Sequence, residues 1–266
     1  MASFREAELG GWSKRATSYD EHFVPITNQV IAPIIEILGP LDGARVLDVG
    51  CGPGHLTAAL ANEGAVVEGI DFAATMVGKA RVNYPAITFR EADAEALPYD
   101  RGVFDRVACA FGVMHFGRPD VAIAEAFRVL RPGGRYAFTQ WGMDDDVLNI
   151  VGAAIAEHGA PVSGLPQAPP ARRFSDPAEC RRVLAATGFT DVEDRRIEVA
   201  WTMERPEALL DLIYAGAVRV AMILEAQEPG RRARIHEAIL AAARARASAS
   251  TFAIRRPVVL ACGIKR

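Results

Sequence analysis

Along this chain the spacing of apolar positions switches between a run-like and a helical pattern, and the switches mark the elements. Apolar residues recur at helical spacing from Thr27 to Leu38, where Gly39-Pro40 closes the segment. Val46 to Val49 is a short apolar run with β-branched residues that predicts a strand. It stops abruptly at Gly50-Cys51-Gly52-Pro53-Gly54, and a helix-like segment, His55 to Glu63, follows at once. Ala65 to Ile70 reads as a second buried strand ending in Asp71, Ala86 to Arg90 as a third and Val103 to Ala110 as a fourth. Helical spacing returns over Ala122 to Leu130, stopped by Arg131-Pro132-Gly133-Gly134, and Arg135 to Trp141 predicts a fifth strand. A helix is expected over Val147 to His158, then an irregular proline-rich stretch, GAPVSGLPQAPPARRFSDP. Ser175-Asp176-Pro177 opens a helix over Ala178 to Thr187, with Gly188 as its stop. Two further helical stretches, Glu207 to Ala226 and Arg231 to Ala247, flank Pro229-Gly230.

The strand, glycine loop and helix around Val46 to Glu63 are the candidate binding element. In an open parallel sheet such a turn lies at the carboxyl end of a strand, where ligands bind. A dinucleotide fingerprint would need a third glycine where His55 stands. The glycines instead run at 50, 52 and 54, and Asp48 sets a carboxylate upstream that repels a pyrophosphate and suits a cation. By itself the pentad also fits a plain βα turn with no ligand. Asp71 lies 21 residues beyond Gly50. An acid there can accept the ribose hydroxyls of any nucleoside cofactor, nicotinamide included.

Asp48-x-Gly50-x-Gly52-x-Gly54 after a strand resembles motif I of the class I S-adenosylmethionine-dependent methyltransferases. GIDFAATMVGKAR, EADAEALPYD and FDRVACAFGVMHF with FRVLRPGGRYAFTQW are similar to later segments of the same family, in the same order, over Val46 to Trp141. The likeness is to the small-molecule branch, such as the ubiquinone and menaquinone biosynthesis group. It implies a three-layer α/β sandwich around a seven-stranded, mostly parallel, Rossmann-like sheet whose last strand is antiparallel. Asp191 to Met203 and Thr251 to Ile264 would be its sixth and last strands. It implies S-adenosyl-L-methionine as cofactor, held by Asp48, Gly50, Cys51, Gly52 and Gly54, with Asp71 at the ribose and Phe72 and Met76 against the adenosine. Asp93 would meet the adenine amino group and the Ala94 amide a ring nitrogen, while Phe111 lies where cofactor and acceptor meet. Met76 is equally readable as plain core. The polar segment GWSKRATSYDEHF resembles an arm that folds over the cofactor, with Tyr19 at its methionyl part. That Trp12, Tyr19 and Phe23 merely anchor a helix is equally open.

His115, at the end of the fourth strand, is the candidate catalytic residue, a base or orienting group for the acceptor's proton, or else a wall of the pocket. The other histidines carry no motif. The chain reads as one methyltransferase domain over 1–266: an N-terminal helical arm (1–40), a cofactor-binding core (41–141), cap or lid segments (142–190 and 204–250) and final strands (191–203 and 251–264). Leu209, Leu210, Ile213, Val218, Met222 and Ile223 form a stripe that suits helical core, a cap over the methyl, or the surface of a homodimer. Asp144-Asp145-Asp146 reads as a helix start or solvated turn, and the four cysteines lack metal-ligand spacing, so no metal is expected. At 50% apolar and 24% charged residues the composition is that of a folded globular chain, with no run long enough for a membrane span and no apolar leader at Met1 to Gly11. A cytoplasmic location is the expectation. A net charge of −3 without interleaved aromatics argues against nucleic acid. Absence of the Asn-Pro-Pro-Tyr motif of the family's amino-group branch points to a small, apolar or amphipathic acceptor. A nicotinamide oxidoreductase and a noncatalytic S-adenosylmethionine-binding protein remain the alternatives.

Overall fold

In the computed structural model, which describes residues 3–248 and 251–266, strands and helices alternate from β1 to β3. The helices α1 (Phe4–His22), α2 (Val24–Thr27) and α3 (Ile31–Leu38) precede β1 (Arg45–Val49). The core continues as α4 (His55–Asn62), β2 (Val66–Asp71), α5 (Ala74–Asn83), β3 (Thr88–Glu91), β4 (Phe104–Cys109), α6 (Pro119–Val129) and β5 (Leu130–Trp141). Beyond it come α7 (Asp146–His158), α8 (Pro177–Thr187), β6 (Phe189–Ile197), β7 (Ala200–Met203), α9 (Glu207–Gly216), α10 (Val218–Glu225), α11 (Pro229–Arg244), β8 (Ala247–Ser248), β9 (Thr251–Arg255) and β10 (Val258–Lys265). The first two residues of the expected arm, and residues 249 and 250 of the second cap segment, lie outside the described residues.

The main sheet has seven strands in the order β3-β2-β1-β4-β5-β10-β6. β1 runs parallel to β2 and β4, placing Asp48 beside Gly69 on one side and Ala108 on the other. β10 is antiparallel to both β5 and β6. The expected three-layer, mostly parallel architecture is therefore present. Because side chains alternate across a strand, Val46 of β1 packs on the face covered by α3, α7, α9 and α11, whereas Leu47 and Val49 pack on the face covered by α6 and α8. β10 divides the same way, with Val258, Leu260 and Cys262 on the first face and Val259 and Ala261 on the second.

Several boundaries differ from the sequence expectation, each for a local reason. The expected sixth strand is two: β6 stays in the main sheet, and after Glu198-Val199 the chain enters β7 of a second sheet ordered β7-β9-β8. The expected last strand breaks at Arg256-Pro257, since proline supplies no ladder N–H, with β9 in the small sheet and β10 in the large one. The helix expected from Thr27 begins at Ile31 after a 3-10 turn, and the one expected over 207–226 breaks at Ala217. The Arg131 to Gly134 turn is absorbed into β5 with a register shift against β4. In the apolar stripe, Leu209, Ile213 and Val218 are buried within this chain.

Candidate functional site

The loop leaving β1 is stitched to the neighbouring strand, as the amides of Gly50 and Cys51 both donate to the carbonyl of Ile70, at 2.8 and 2.9 Å. Gly52 follows in the left-handed region (φ +52°), and a side chain built there would meet nothing within 4 Å, because it would enter the open floor of a cleft. Its amide donates to Asp71 Oδ2 at 3.0 Å, and the amide of Ala73 donates to Oδ1 at 2.9 Å. Each Asp71 oxygen thus keeps acceptor capacity for a further donor. Burial raises the Asp71 pKa against these two backbone donors. Asp48 is only 1% exposed and accepts from Thr57 Oγ1 at 2.7 Å. Burial, with the nearby Asp71 charge adding to it, pushes its carboxyl up to about 7.

The cleft encloses about 1070 Å³ of empty space, part of it open to solvent. It brings together every residue singled out from the sequence except one: Tyr19, Asp48, Gly50, Cys51, Gly52, Asp71, Phe72, Met76, Asp93, Ala94, Phe111 and His115 all line it. Gly54 does not. Its place is structural, as the N-cap of α4 at φ +90°, where an added Cβ would stand 2.8 Å from the Phe89 ring. Phe111 has φ +54°, a strained conformation for a bulky residue, and its amide is held by donation to Thr139 Oγ1 at 3.0 Å.

Sequence reasoning missed how α1 closes the cleft. Arg5, Glu8, Trp12, Ala16 and Tyr19 recur at helical spacing, so one face of α1 lies over the site. Arg5 Nε donates to Asp93 Oδ2 at 3.0 Å, and Glu8 Oε2 lies 2.8 Å from His115 Nδ1. Trp12 sets its ring edge-on to His115 and to Tyr19. Tyr19 stacks on Phe23, and burial pushes its phenol up to about 12. His55, at the missing third glycine, lines the cleft with Nδ1 2.7 Å from Tyr84 Oη and Nε2 2.7 Å from Asp20 Oδ1. Lys79 also pairs with Asp20, at 3.0 Å. A signal for α1 was present: Ser3-x-x-Glu6 is a capping box, and both of its reciprocal bonds form.

A family profile described as "Methyltransferase domain" matches residues 46–134, the span from β1 into β5. A demethylmenaquinone methyltransferase of Thermus thermophilus is 34% identical over 165 residues, covering 55% of this chain and 74% of that protein. The chain belongs to the class I S-adenosylmethionine-dependent methyltransferases. A malonyl-[acyl-carrier protein] O-methyltransferase of Salmonella typhimurium is 32% identical to this methyltransferase over 135 residues, 51% of this chain and 53% of that one. The match spans about half the length of several such curated relatives. Among solved structures, phosphoethanolamine N-methyltransferase 2 of Haemonchus contortus, in complex with phosphomonomethylethanolamine and S-adenosylhomocysteine, shares the fold. Its TM-score is 0.60 at 19% identity, over 100% of this chain and 60% of that one.

The chemistry of the donor set fits the family's cofactor. Asp48, Asp71, Asp93 and Glu95 face the cleft, and Arg5 is already paired with Asp93. That balance favours a ligand bearing a sulfonium and an ammonium over a pyrophosphate. Asp71, with free acceptor capacity at the end of β2, could accept from hydroxyl groups, and Phe72 and Met76 offer apolar surface in the same cleft.

Proposed function

We propose that this chain transfers the methyl group of S-adenosyl-L-methionine to a small apolar or amphipathic acceptor, with His115 handling the acceptor's proton. One observation carries the reading: the glycine loop, three aspartates on successive strand ends and His115 open into a single cleft. When bound, the cofactor supplies an already activated methyl, whose bond to sulfur breaks with the electron pair going to sulfur. The chain's own residues then bind, orient and exclude water. Asp71 would accept from the ribose hydroxyls, Asp93 and the Ala94 amide would flank the adenine, and Tyr19 would cover the methionyl end. Val24, Ile31 and Phe111 add apolar surface to the cleft, with Thr27 and Asn28 as polar groups among them, a lining that suits a small amphipathic metabolite. Alignment within such a closed site accounts for most of the rate expected of the reaction.

Calorimetric titration with S-adenosylmethionine tests this reading, run on the wild type and on Asp71→Ala, with NAD as control. Binding of the sulfonium cofactor, its loss in the variant and no response to NAD are expected. Failure of folded wild-type protein to bind the cofactor, or binding of NAD instead, would overturn the reading. A mass-detected screen of hydroxyl, amine and carbon-acid acceptors then identifies the methylated atom.

A further inference from the structure

Glu8 is a carboxylate at 1% exposure, and its partner is an imidazole contributed from the far side of the cleft. A carboxylate is costly to bury unless it is paired, so the contact with His115 Nδ1 at 2.8 Å has to be accounted for. An ionised carboxylate only accepts hydrogen bonds. It therefore fixes the proton of a neutral His115 on Nδ1 and leaves the lone pair on Nε2. Trp12 stands edge-on to the same ring, with centroids 4.9 Å apart and an interplanar angle of 90°, which restrains the ring's orientation. His115 lines the cleft beside Phe111 and Gly112, while Glu8 does not line it. The carboxylate thus acts only through the histidine. A histidine held in one tautomer by a buried carboxylate is the arrangement that makes the opposite nitrogen a base.

We propose that Glu8 is a positioning residue that presents Nε2 of His115 to the methyl acceptor, so that this site takes a neutral acceptor arriving with its proton, such as a hydroxyl compound. The proposal rests on the methyl-transfer reading above. In the step it describes, the acceptor's O–H bond breaks and its proton passes to Nε2. The oxygen's electron pair forms the bond to the methyl carbon, and the carbon–sulfur pair leaves with sulfur. The imidazolium so formed faces Glu8, whose charge stabilises it, and the proton then returns to solvent. The other groups around the cleft agree with a neutral acceptor: Asp93 is paired with Arg5 and Glu95 with Arg118, so neither cation is free to receive a carboxylate and Asp48 and Asp71 oppose one.

The experiment uses the full chain labelled with 15N-histidine, and long-range proton–nitrogen spectra recorded without cofactor above neutral pH. His115→Gln identifies the resonances of His115. In the wild type a single tautomer with the proton on Nδ1 is expected. In Glu8→Leu, which removes the acceptor at Nδ1 and leaves no stranded charge beside a neutral imidazole, that pattern should be lost in favour of the Nε2–H form. Calorimetry with S-adenosylmethionine on the wild type reports cofactor binding independently of the tautomer. A wild-type His115 carrying its proton on Nε2, or a Glu8→Leu protein keeping it on Nδ1, would overturn the proposal and leave the pair as a mere latch for α1. Neither result depends on turnover. If the wild type gave the expected tautomer but bound no S-adenosylmethionine, the methyl-transfer reading would fall instead.

Discussion

Asp48 sits beneath the glycine loop at 1% exposure, and its burial sets a pH dependence whose sign can be worked out. Its carboxyl is raised from 3.8 to about 7 in the folded chain. Between those values the folded state holds a proton that the unfolded state has released, so stability falls as pH rises through that window and levels off above it. The size is up to roughly 4 kcal/mol. A cationic ligand favours the charged form, so its affinity should run the other way, falling by about tenfold per unit as pH drops below the raised value and levelling off above it. Asp48→Asn should flatten both dependences. Thermal melts of the cofactor-free protein and calorimetry at about pH 6 and about pH 8 check this, and a variant that kept the wild-type slopes would assign them to other groups. Asp48 and Asp71 were legible in the sequence because motif spacing and strand ends locate them. Glu8 was not, since a lone acid in a polar helix looks like solvated surface until the fold carries it 107 positions away to His115.

Helix α1 lies in the segment expected as a helical arm, but the sequence pattern concealed its inward face. Its inward face mixes Arg5, Glu8, Trp12 and Tyr19, so apolar periodicity is weak although every one of them faces the site or a residue of it. Only the Ser3–Glu6 capping box announced a helix start, and Gly10-Gly11 argued against an uninterrupted helix. β1, the glycine loop and α4 were legible for the opposite reason, as an unbroken apolar run and a glycine cluster admit few other structures. Four polar links hold α1 in place: Arg5 to Asp93, Glu8 to His115, Arg15 to the Tyr214 carbonyl and Glu225, and Asp20 to both His55 and Lys79. The last joins two partners, and against the effect of burial both hold the Asp20 carboxyl below its ordinary value. Asp20→Ala should leave His55 Nε2 without its acceptor and cost about 1–3 kcal/mol. Hydrogen exchange should quicken over residues 4–22 with little change in β1 and β4. Unchanged exchange in α1 would show that the apolar contacts of Trp12, Tyr19 and Phe23 suffice to hold the arm.

At the scale of the whole molecule, two sheets share one core, and the junction between them was hidden in segments that read as single strands. Resemblance to a family guided the reading through Trp141. Beyond it, only the structure shows that the chain leaves the main sheet after Ile197 and re-enters it at Val258. At that re-entry Arg256 is buried with Nε and Nη2 donating to Asp145 Oδ2 at 3.1 and 2.9 Å. Its guanidinium lies 3.7 Å from the centroid of the Trp141 ring, and Trp141 stacks on Phe111 of the cleft wall. Asp145 had been legible as a helix start, and it does cap α7 by accepting from the Leu148 amide at 3.0 Å. Of the two readings open for Asp144 to Asp146, helix start or solvated turn, the first holds at Asp145, which is fully buried as the counter-charge of a residue 111 positions away. Removing one partner of a buried pair strands the other, so Asp145→Ala should cost about 3–5 kcal/mol in denaturant unfolding. Replacing both, Asp145→Leu with Arg256→Met, removes the uncompensated charge and should recover all but the lost helix cap, about 1 kcal/mol. If the double variant were as unstable as the single one, charge compensation would not explain the pair. The stacking of Arg256 on Trp141 would then be what holds the small sheet against the cleft wall, and Arg256→Met by itself should reproduce the whole loss.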